Sequence, residues 1–375
     1  MYKIILVAGA RPNFMKIAPL MHAFKNHPSI EAILVHTGQH YDAKMSQSFF
    51  DDLDIPAPKI NLEIGSASHA VQTARIMEAF EKVCLDEQPN AILVVGDVNS
   101  TVACSLVAAK MGITSIHYEA GLRSNDRTMP EEINRLATDA ISDYFITTSD
   151  DATENLFNEG HDKNKIFMLG NLMIDSLVYS LDKFNNFQTE YELLNKKRTI
   201  NINDEFGKYA ILTFHRPNNV DNPAQLSKLF DEIEKISKKI KLVFPIHPRT
   251  YKNIKTFGLE KRIKAIDNLY LIEPLGYADF TGLIKNATFI LTDSGGIQEE
   301  TTYLKVPCLT VRPTTERPIT IWEGSNTLIK IDDIGEEVNK ILNGNYKAGK
   351  VPKCWDGKTA LRIVEQLEKI KKERI

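Results

Sequence analysis

At 375 residues the chain is longer than one domain usually is, so two domains of ordinary size are expected. Its 43% apolar and 25% charged residues are the mix of a globular protein and not of a disordered one. A net charge of -3 argues against nucleic acid or an anionic membrane as the main partner, so any anion site has to be local.

The first segment, Ile4–Ala8, reads as a buried strand; it is too short for a signal peptide, and no later apolar run is long enough to span a bilayer. A cytoplasmic location is expected. The following turn, Gly9-Ala-Arg-Pro-Asn-Phe-Met-Lys16, has neither the dinucleotide-binding glycine spacing nor a Walker pattern, so nothing points to bound NAD. It does set Arg11 at the strand mouth and Lys16 in the next helix, where a guanidinium fork grips phosphate; solvated surface cations are the alternative. A helix over Phe14–Lys25, a strand over Ala32–His36 and a helix over Ala70–Glu87 come next. The strand Ala91–Val95 runs out at Asp97, and after a helix over Thr101–Met111 the strand Thr114–Tyr118 runs out at Glu119. Carboxylates ending successive strands suit general acid–base chemistry. Asp97 as a helix cap and Glu119 as a partner of Arg123 are the plainer readings. Pro130–Ser142 reads as helix and Tyr144–Thr148 as strand; Thr128-Met-Pro-Glu131 has the form of a capping box, which gives Glu131 a structural role.

A polar stretch from Asn171 to about Asp204 is the best domain boundary, with a connecting helix inside it. Alternation then resumes: strand Tyr209–Phe214, helix Gln225–Ser237, strands Lys241–Pro245 and Leu269–Ile272, helix Tyr277–Lys285, strand Phe289–Leu291 and strand Cys308–Val311. His215 and His247 each follow a strand and lie near an arginine, without zinc spacing. The segment Asp293-Ser-Gly-Gly-Ile-Gln-Glu-Glu300 joins a strand to a helix through two glycines, Gly295 and Gly296. Free N–H groups at such a helix start attract phosphate, Ser294 can add a hydroxyl, and Glu300 can accept from sugar hydroxyls; an ordinary capped turn is the alternative. Arg317 follows in a loop as a second phosphate clamp. The four cysteines lack metal spacing and read as free thiols. In the final helix, Thr359–Lys371, Leu361, Val364, Leu367 and Ile370 form one apolar stripe. The expected architecture is α/β: two Rossmann-like domains with parallel sheets facing a cleft, over residues 1–170 and 171–358, with helix 359–375 docking on the first.

In their order, GARPNFMKIAPL, TGQHYD, GDVNST, EAGLRSNDRTMPEEINR, GNLMID, TFHRPNN, PIHPRT, TDSGGIQEE and TTERP closely resemble the motifs of the non-hydrolysing UDP-N-acetylglucosamine 2-epimerase family, from residue 9 to residue 318. The resemblance implies two domains of the GT-B kind and cofactor-free, metal-free interconversion of UDP-GlcNAc and UDP-ManNAc. It also implies a homodimer, with a UDP-sugar as the partner. It assigns acid–base work to Asp97, Glu119, Glu131 and His215, which raises Glu131 above its structural reading. UDP would be held by Arg11, Lys16, His247, Ser294, Gly295, Gly296, Glu300 and Arg317, and an activating second site by Gln39, His40 and Arg75. Ala10, Asn13 and Val98 depart from the commoner pattern, and several motifs are equally typical of relatives acting on UDP-2,3-diacetamido-glucuronic acid. That substrate is the main alternative; a hydrolysing epimerase, a GT-B glycosyltransferase and a non-catalytic UDP-sugar sensor are more distant ones.

Overall fold

The computed structural model describes residues 1–25, 27–38, 53–183 and 189–373. By packing, the chain forms two compact units, Met1–Tyr179 with Lys353–Ile375, and Ser180–Pro352. The first contains β1 (Tyr2–Ala8), α1 (Arg11–Phe24), β2 (Ile30–His36), β3 (Ile60–Asn61), α2 (His69–Glu87), β4 (Ala91–Val95) and α3 (Asn99–Met111). It continues with β5 (Thr114–Tyr118), α4 (Pro130–Ile141), β6 (Tyr144–Thr147), α5 (Asp150–Asn158), β7 (Ile166–Met168) and α6 (Leu172–Lys183), within which the chain passes to the second unit. The described strands form one parallel sheet in the order β3-β2-β1-β4-β5-β6-β7.

The apolar runs of the sequence are continuous because both faces of this sheet are covered. Ile5, Val7, Ile33, Val35, Ile92 and Val94 share one face and pack on Ile76, Phe80 and Val83 of α2 and on Ala103 and Val107 of α3. Their neighbours on the opposite face, Ile4, Leu6 and Leu93, are equally buried.

The second unit begins with a small antiparallel pair, β8 (Glu190–Glu192) and β9 (Thr199–Asn201). There follow β10 (Tyr209–Thr213), α7 (Pro223–Ser237), β11 (Lys241–Pro245), α8 (Pro248–Thr256), β12 (Leu269–Ile272), α9 (Tyr277–Asn286), β13 (Phe289–Thr292), α10 (Gly295–Leu304), β14 (Cys308–Val311), β15 (Asn326–Ile329) and α11 (Ile334–Leu342). Its larger sheet is parallel, in the order β12-β11-β10-β13-β14-β15. Period-two alternation divides its side chains cleanly. Ala210, Leu212, Leu242, Phe244 and Leu291 pack with Leu229, Phe230 and Ile233 of α7. Tyr209, Ile211, Val243 and Ile290 pack with Leu283, Ile284 and Ile297 in the other layer.

Both larger sheets share one topology. The chain works outward from the first strand, then returns to the strand on its other side. The connections leaving β1 and β4 diverge at their carboxyl ends, as do those leaving β10 and β13, and such a switch point is where doubly wound sheets hold ligands.

The C-terminal helix, α12 (Thr359–Glu373), belongs to the first unit and packs on α1. Asp175 of α6 accepts from Thr359 N at 3.1 Å and Ala360 N at 2.8 Å, while Trp355, fully buried, donates to the Thr148 carbonyl at 2.8 Å. The buried stripe of α12 is Ala360, Ile363, Val364, Leu367 and Ile370; Leu361, expected on it, is 57% exposed. At 100° per residue Leu361 falls well round the helix from the others, and Ile363 takes its place. The elements β3, α5, β7, α8 and β15 carry too few residues or too mixed a pattern to be read from periodicity, and they were not anticipated; nor was the later helix Ile334–Leu342, although Ile334, Val338 and Ile341 share one of its faces.

Candidate active site

In the first unit the site residues gather where β1, β4 and β5 end. Arg11 opens α1; its side chain lies outside what the structure describes, as do Gln39 and His40 entirely. Arg75 is exposed on α2. Lys16 and Glu119 are both buried and form an ion pair of 2.5 Å, the mutual compensation that buried charges require. Glu119 has a φ of +70°, left-handed backbone that costs a residue with a Cβ on the order of 1 kcal/mol or more. Its N–H is tied to the Ile146 carbonyl at 3.0 Å, so the neighbouring strand holds the strained residue. Glu119 Oε2, Lys16 Nζ and Asn13 Nδ2 converge on Gly96, all within 3.6 Å of where a Cβ would stand.

Asn13 explains its departure from the commoner glutamate. Its carbonyl oxygen accepts from Gly9 N at 3.0 Å and Ala10 N at 2.9 Å, and its amide donates to the Val95 carbonyl at 3.2 Å. A carboxylate can accept those two bonds but has no proton for Val95, so here the amide links the end of β1 to the end of β4.

Asp97 is held by α4. Its carboxylate pairs with Arg135, and its carbonyl accepts from Asn134 Nδ2 at 2.9 Å. The cap position of α3 falls to Val98, so Asp97 does not have the capping role. Arg135 also binds Glu132 at 2.7 Å, and Glu132 in turn accepts from the Ser124 and Asn125 N–H groups, each at 3.0 Å. Burial pushes the Glu132 carboxyl up, but the Ser124 N–H and Arg135 outweigh it and leave it below the usual range. The capping box expected around Glu131 is not formed. Met129 holds the cap position, Thr128 turns to Asp126 at 2.6 Å, and Glu131 is exposed on the first turn of α4. Arg123 faces Asp139 at 2.7 Å and Glu159 at 2.6 Å, and Asp139 also meets His117 Nδ1 at 2.6 Å. The second nitrogen of His117 lies 2.9 Å from the Gly96 carbonyl, a brace beneath the Gly96–Asp97 turn.

In the second unit the residues gather where β10, β11, β13 and β14 end. His215 and His247 approach with ring centroids 5.4 Å apart. His247 is the cap of α8, its Nδ1 accepting from Arg249 N at 3.2 Å, and is exposed. His215 is half-buried and lies 3.1 Å from the carboxylate of Asp293, which is buried completely. Ser294 occupies the cap position of α10, yet its hydroxyl makes no cap bond and the first turn carries no carboxylate of its own. Gly295 and Gly296 therefore begin a helix suited to an anion.

The glycine at 295 also makes room for a side chain of the protein itself. A Cβ there would stand 2.8 Å from Glu316 Oε1, so the glycine admits this side chain and not only a ligand. Glu316 pairs with Arg312 at 2.9 Å, and despite burial the two arginines, Arg312 and Arg317, hold its carboxyl well below the usual range. Arg317 pairs with Glu299 at 3.0 Å. The buried Nη1 of Arg312 has no hydrogen-bond partner among the described residues. Burial pushes the Glu300 carboxyl up to about 7, against the Tyr277 bond and with the help of the adjacent Glu299. Gln298, also buried, binds the Ser294 carbonyl at 3.1 Å, Thr315 at 2.8 Å and Asn326 at 2.9 Å, and so ties α10 to the loop that carries Arg317.

Asp293, Gln298, Arg312, Glu316, Glu132 and Arg135 were missed in the sequence. For Glu132 and Arg135 a signal existed, since acid and base at i and i+3 share a helix face. Among the described residues, no three His, Cys, Asp or Glu side chains form a metal-binding group, and no helix is long and apolar enough to cross a membrane.

A sequence profile described as UDP-N-acetylglucosamine 2-epimerase matches residues 22–368. The UDP-N-acetylglucosamine 2-epimerase of Methanocaldococcus jannaschii is 41% identical over 97% of this chain and 98% of its own length. A crystal structure of that organism's enzyme in complex with UDP-GlcNAc and UDP superposes with a TM-score of 0.86 at 40% identity, covering 98% of this chain and 99% of the other. The UDP-2,3-diacetamido-2,3-dideoxy-D-glucuronate 2-epimerase of Pseudomonas aeruginosa is 36% identical over 87% of this chain and 88% of its own. With its two parallel sheets and their residue sets at the switch points, the chain belongs to the UDP-N-acetylglucosamine 2-epimerase family.

Proposed function

We propose that this chain inverts C2 of UDP-N-acetylglucosamine, giving UDP-N-acetylmannosamine, by departure and return of UDP. The observation that carries the reading is the placement of Asp97 and Glu119 at the ends of adjacent strands, in a chain of this family. The C2 hydrogen has no neighbouring carbonyl to acidify it, so a base alone is inadequate. When the C1–O bond breaks as the C2 proton leaves, a C1=C2 double bond forms and the products are 2-acetamidoglucal and UDP. Delivery of a proton to the other face of C2, with re-formation of the C1–O bond, completes the inversion without a net change in atoms or electrons.

Acid–base work is assigned to Asp97, Glu119, Glu131 and His215. Nucleotide binding is assigned to Arg11, Lys16, His247, Ser294, Gly295, Gly296, Glu300 and Arg317, with the start of α10 taking the diphosphate. An activating second site would use Gln39, His40 and Arg75. Incubation with UDP-N-acetylglucosamine in deuterated water places deuterium at C2 of both sugar nucleotides; no exchange, with or without added activator, refutes the reading. The Pseudomonas relative supports a second substrate, a 2,3-diacetamido-uronate nucleotide, and parallel rate measurements decide between the two. We further infer a cytoplasmic homodimer, the assembly to be checked by sedimentation and the location by cell fractionation.

A further inference from the structure

We propose that Asp293 is the positioning residue that fixes His215 in one tautomer, with the proton on Nδ1 and Nε2 presented for proton transfer. The inference rests on the acid–base role proposed for His215. Asp293 follows β13, and its carboxylate meets the end of β10 from inside the unit. It accepts from His215 N at 3.1 Å, Arg216 N at 2.9 Å and Asn219 Nδ2 at 3.1 Å, and His215 Nδ1 stands 3.1 Å from Oδ1. The Asp293 carbonyl accepts from Arg216 Nε at 2.9 Å, so backbone and side chain are both pinned.

This wealth of donors decides the protonation. Burial pushes the Asp293 carboxyl up, but His215, Asn219 and the Arg216 N–H prevail and keep it below the ordinary carboxylate range. An ionised carboxylate only accepts, so a ring nitrogen bonded to it must carry hydrogen. In the neutral ring Nε2 is then the basic nitrogen, and when it gains a proton the adjacent anion stabilises the imidazolium. The neighbouring His247 has the opposite arrangement, since its Nδ1 accepts from Arg249 N and its neutral proton belongs on Nε2. Among the described residues, Asp293 pairs with His215, His247 faces its ring, and Arg216 shares the Asp293 carboxylate. With 40% of its side chain exposed, His215 has a buried, fixed end and an open end.

The test substitutes Asp293→Asn in the full chain. An amide keeps one acceptor oxygen for Arg216 and Asn219 but turns NH₂ towards Nδ1, so the ring must present Nδ1 as acceptor and move its proton to Nε2. Nitrogen-15 spectra of histidine-labelled protein, with His215 assigned by the signals lost in His215→Gln, read the tautomer directly. The expected result is protonated Nδ1 in the wild type and protonated Nε2 in D293N. Turnover of UDP-N-acetylglucosamine in the variant should fall by about 10²-fold or more, while KM changes far less. A wild-type His215 protonated on Nε2, an unchanged tautomer in D293N, or an unchanged kcat each overturns the proposal. Should D293N fail to fold, the wild-type spectrum alone still decides. Wild-type protein that exchanges no deuterium at C2 of either UDP-sugar refutes the acid–base reading instead, a result distinct from any tautomer measurement.

Discussion

Gly295 shows how one atom can matter at the residue scale. Because a Cβ would meet Glu316 Oε1 at 2.8 Å, Gly295→Ala must displace a carboxylate locked between two arginines. Overpacking of this kind costs about 1–3 kcal/mol, and its effect should fall on the helix start proposed to receive the diphosphate. Calorimetry with UDP is expected to show weaker binding by G295A, while unchanged affinity would mean that Glu316 moves aside freely. Glu300 offers a second test, through pH. Its folded value, about 7, exceeds the ordinary 4.5, so its contribution to stability is fully present below 4.5 and is lost as pH rises through 7. Glu300→Gln abolishes that titration. Wild-type protein should therefore lose stability relative to E300Q between pH 5 and pH 8, on the order of 3 kcal/mol at the limit, in thermal or urea unfolding. A parallel pH dependence for the two proteins would contradict this.

At the scale of the element, Gln298 ties α10 to the Arg317 loop and to β15, alongside the Glu299–Arg317 pair. Gln298→Leu leaves the half-buried Ser294 carbonyl and Thr315 and the buried Asn326 short of partners, and an unsatisfied buried group costs about 1–3 kcal/mol. Unfolding should move to lower denaturant by an amount worth at least about 2 kcal/mol, and a neutral effect would show that water repairs the gap. Much of α10 was legible in advance, since a short apolar strand, two glycines and a helical run are local signals. The region around α4 was not. Glu132 stands three residues before Arg135 and Glu131 four, so helix spacing pairs either with that arginine and does not say which turns inward, and a capping pattern selected the wrong one as structural. What decides is tertiary: Ser124 and Asn125 bring N–H donors to Glu132 from a loop before the helix. Lys16 could be placed near a strand mouth, but its partner Glu119 lies 103 residues away, beyond any spacing rule. Alternation of strands and helices likewise gave the class of both sheets, whereas the identity of neighbouring strands is set by packing.

For the whole molecule, the decisive fact is that residues from both ends of the chain build the first unit. Truncation after Pro352 removes Trp355, the bonds from Asp175 to Thr359 and Ala360, and the apolar face of α12 over α1. Hydrogen exchange should quicken in β1–β7 and remain slow in β10–β15, because stability is distributed by cooperative units. Equal acceleration in both sheets would show that the units unfold together. During synthesis this layout reverses the usual order, in which the N-terminal part of a protein is finished first. The strands made earlier must wait for α12 to leave the ribosome before their outer layer is complete, while Ser180–Pro352 already has all of its parts. A nascent chain should thus hold a finished second sheet while the first is still unfinished, and Asp97 and Glu119 would gain a stable frame only after the second unit has folded.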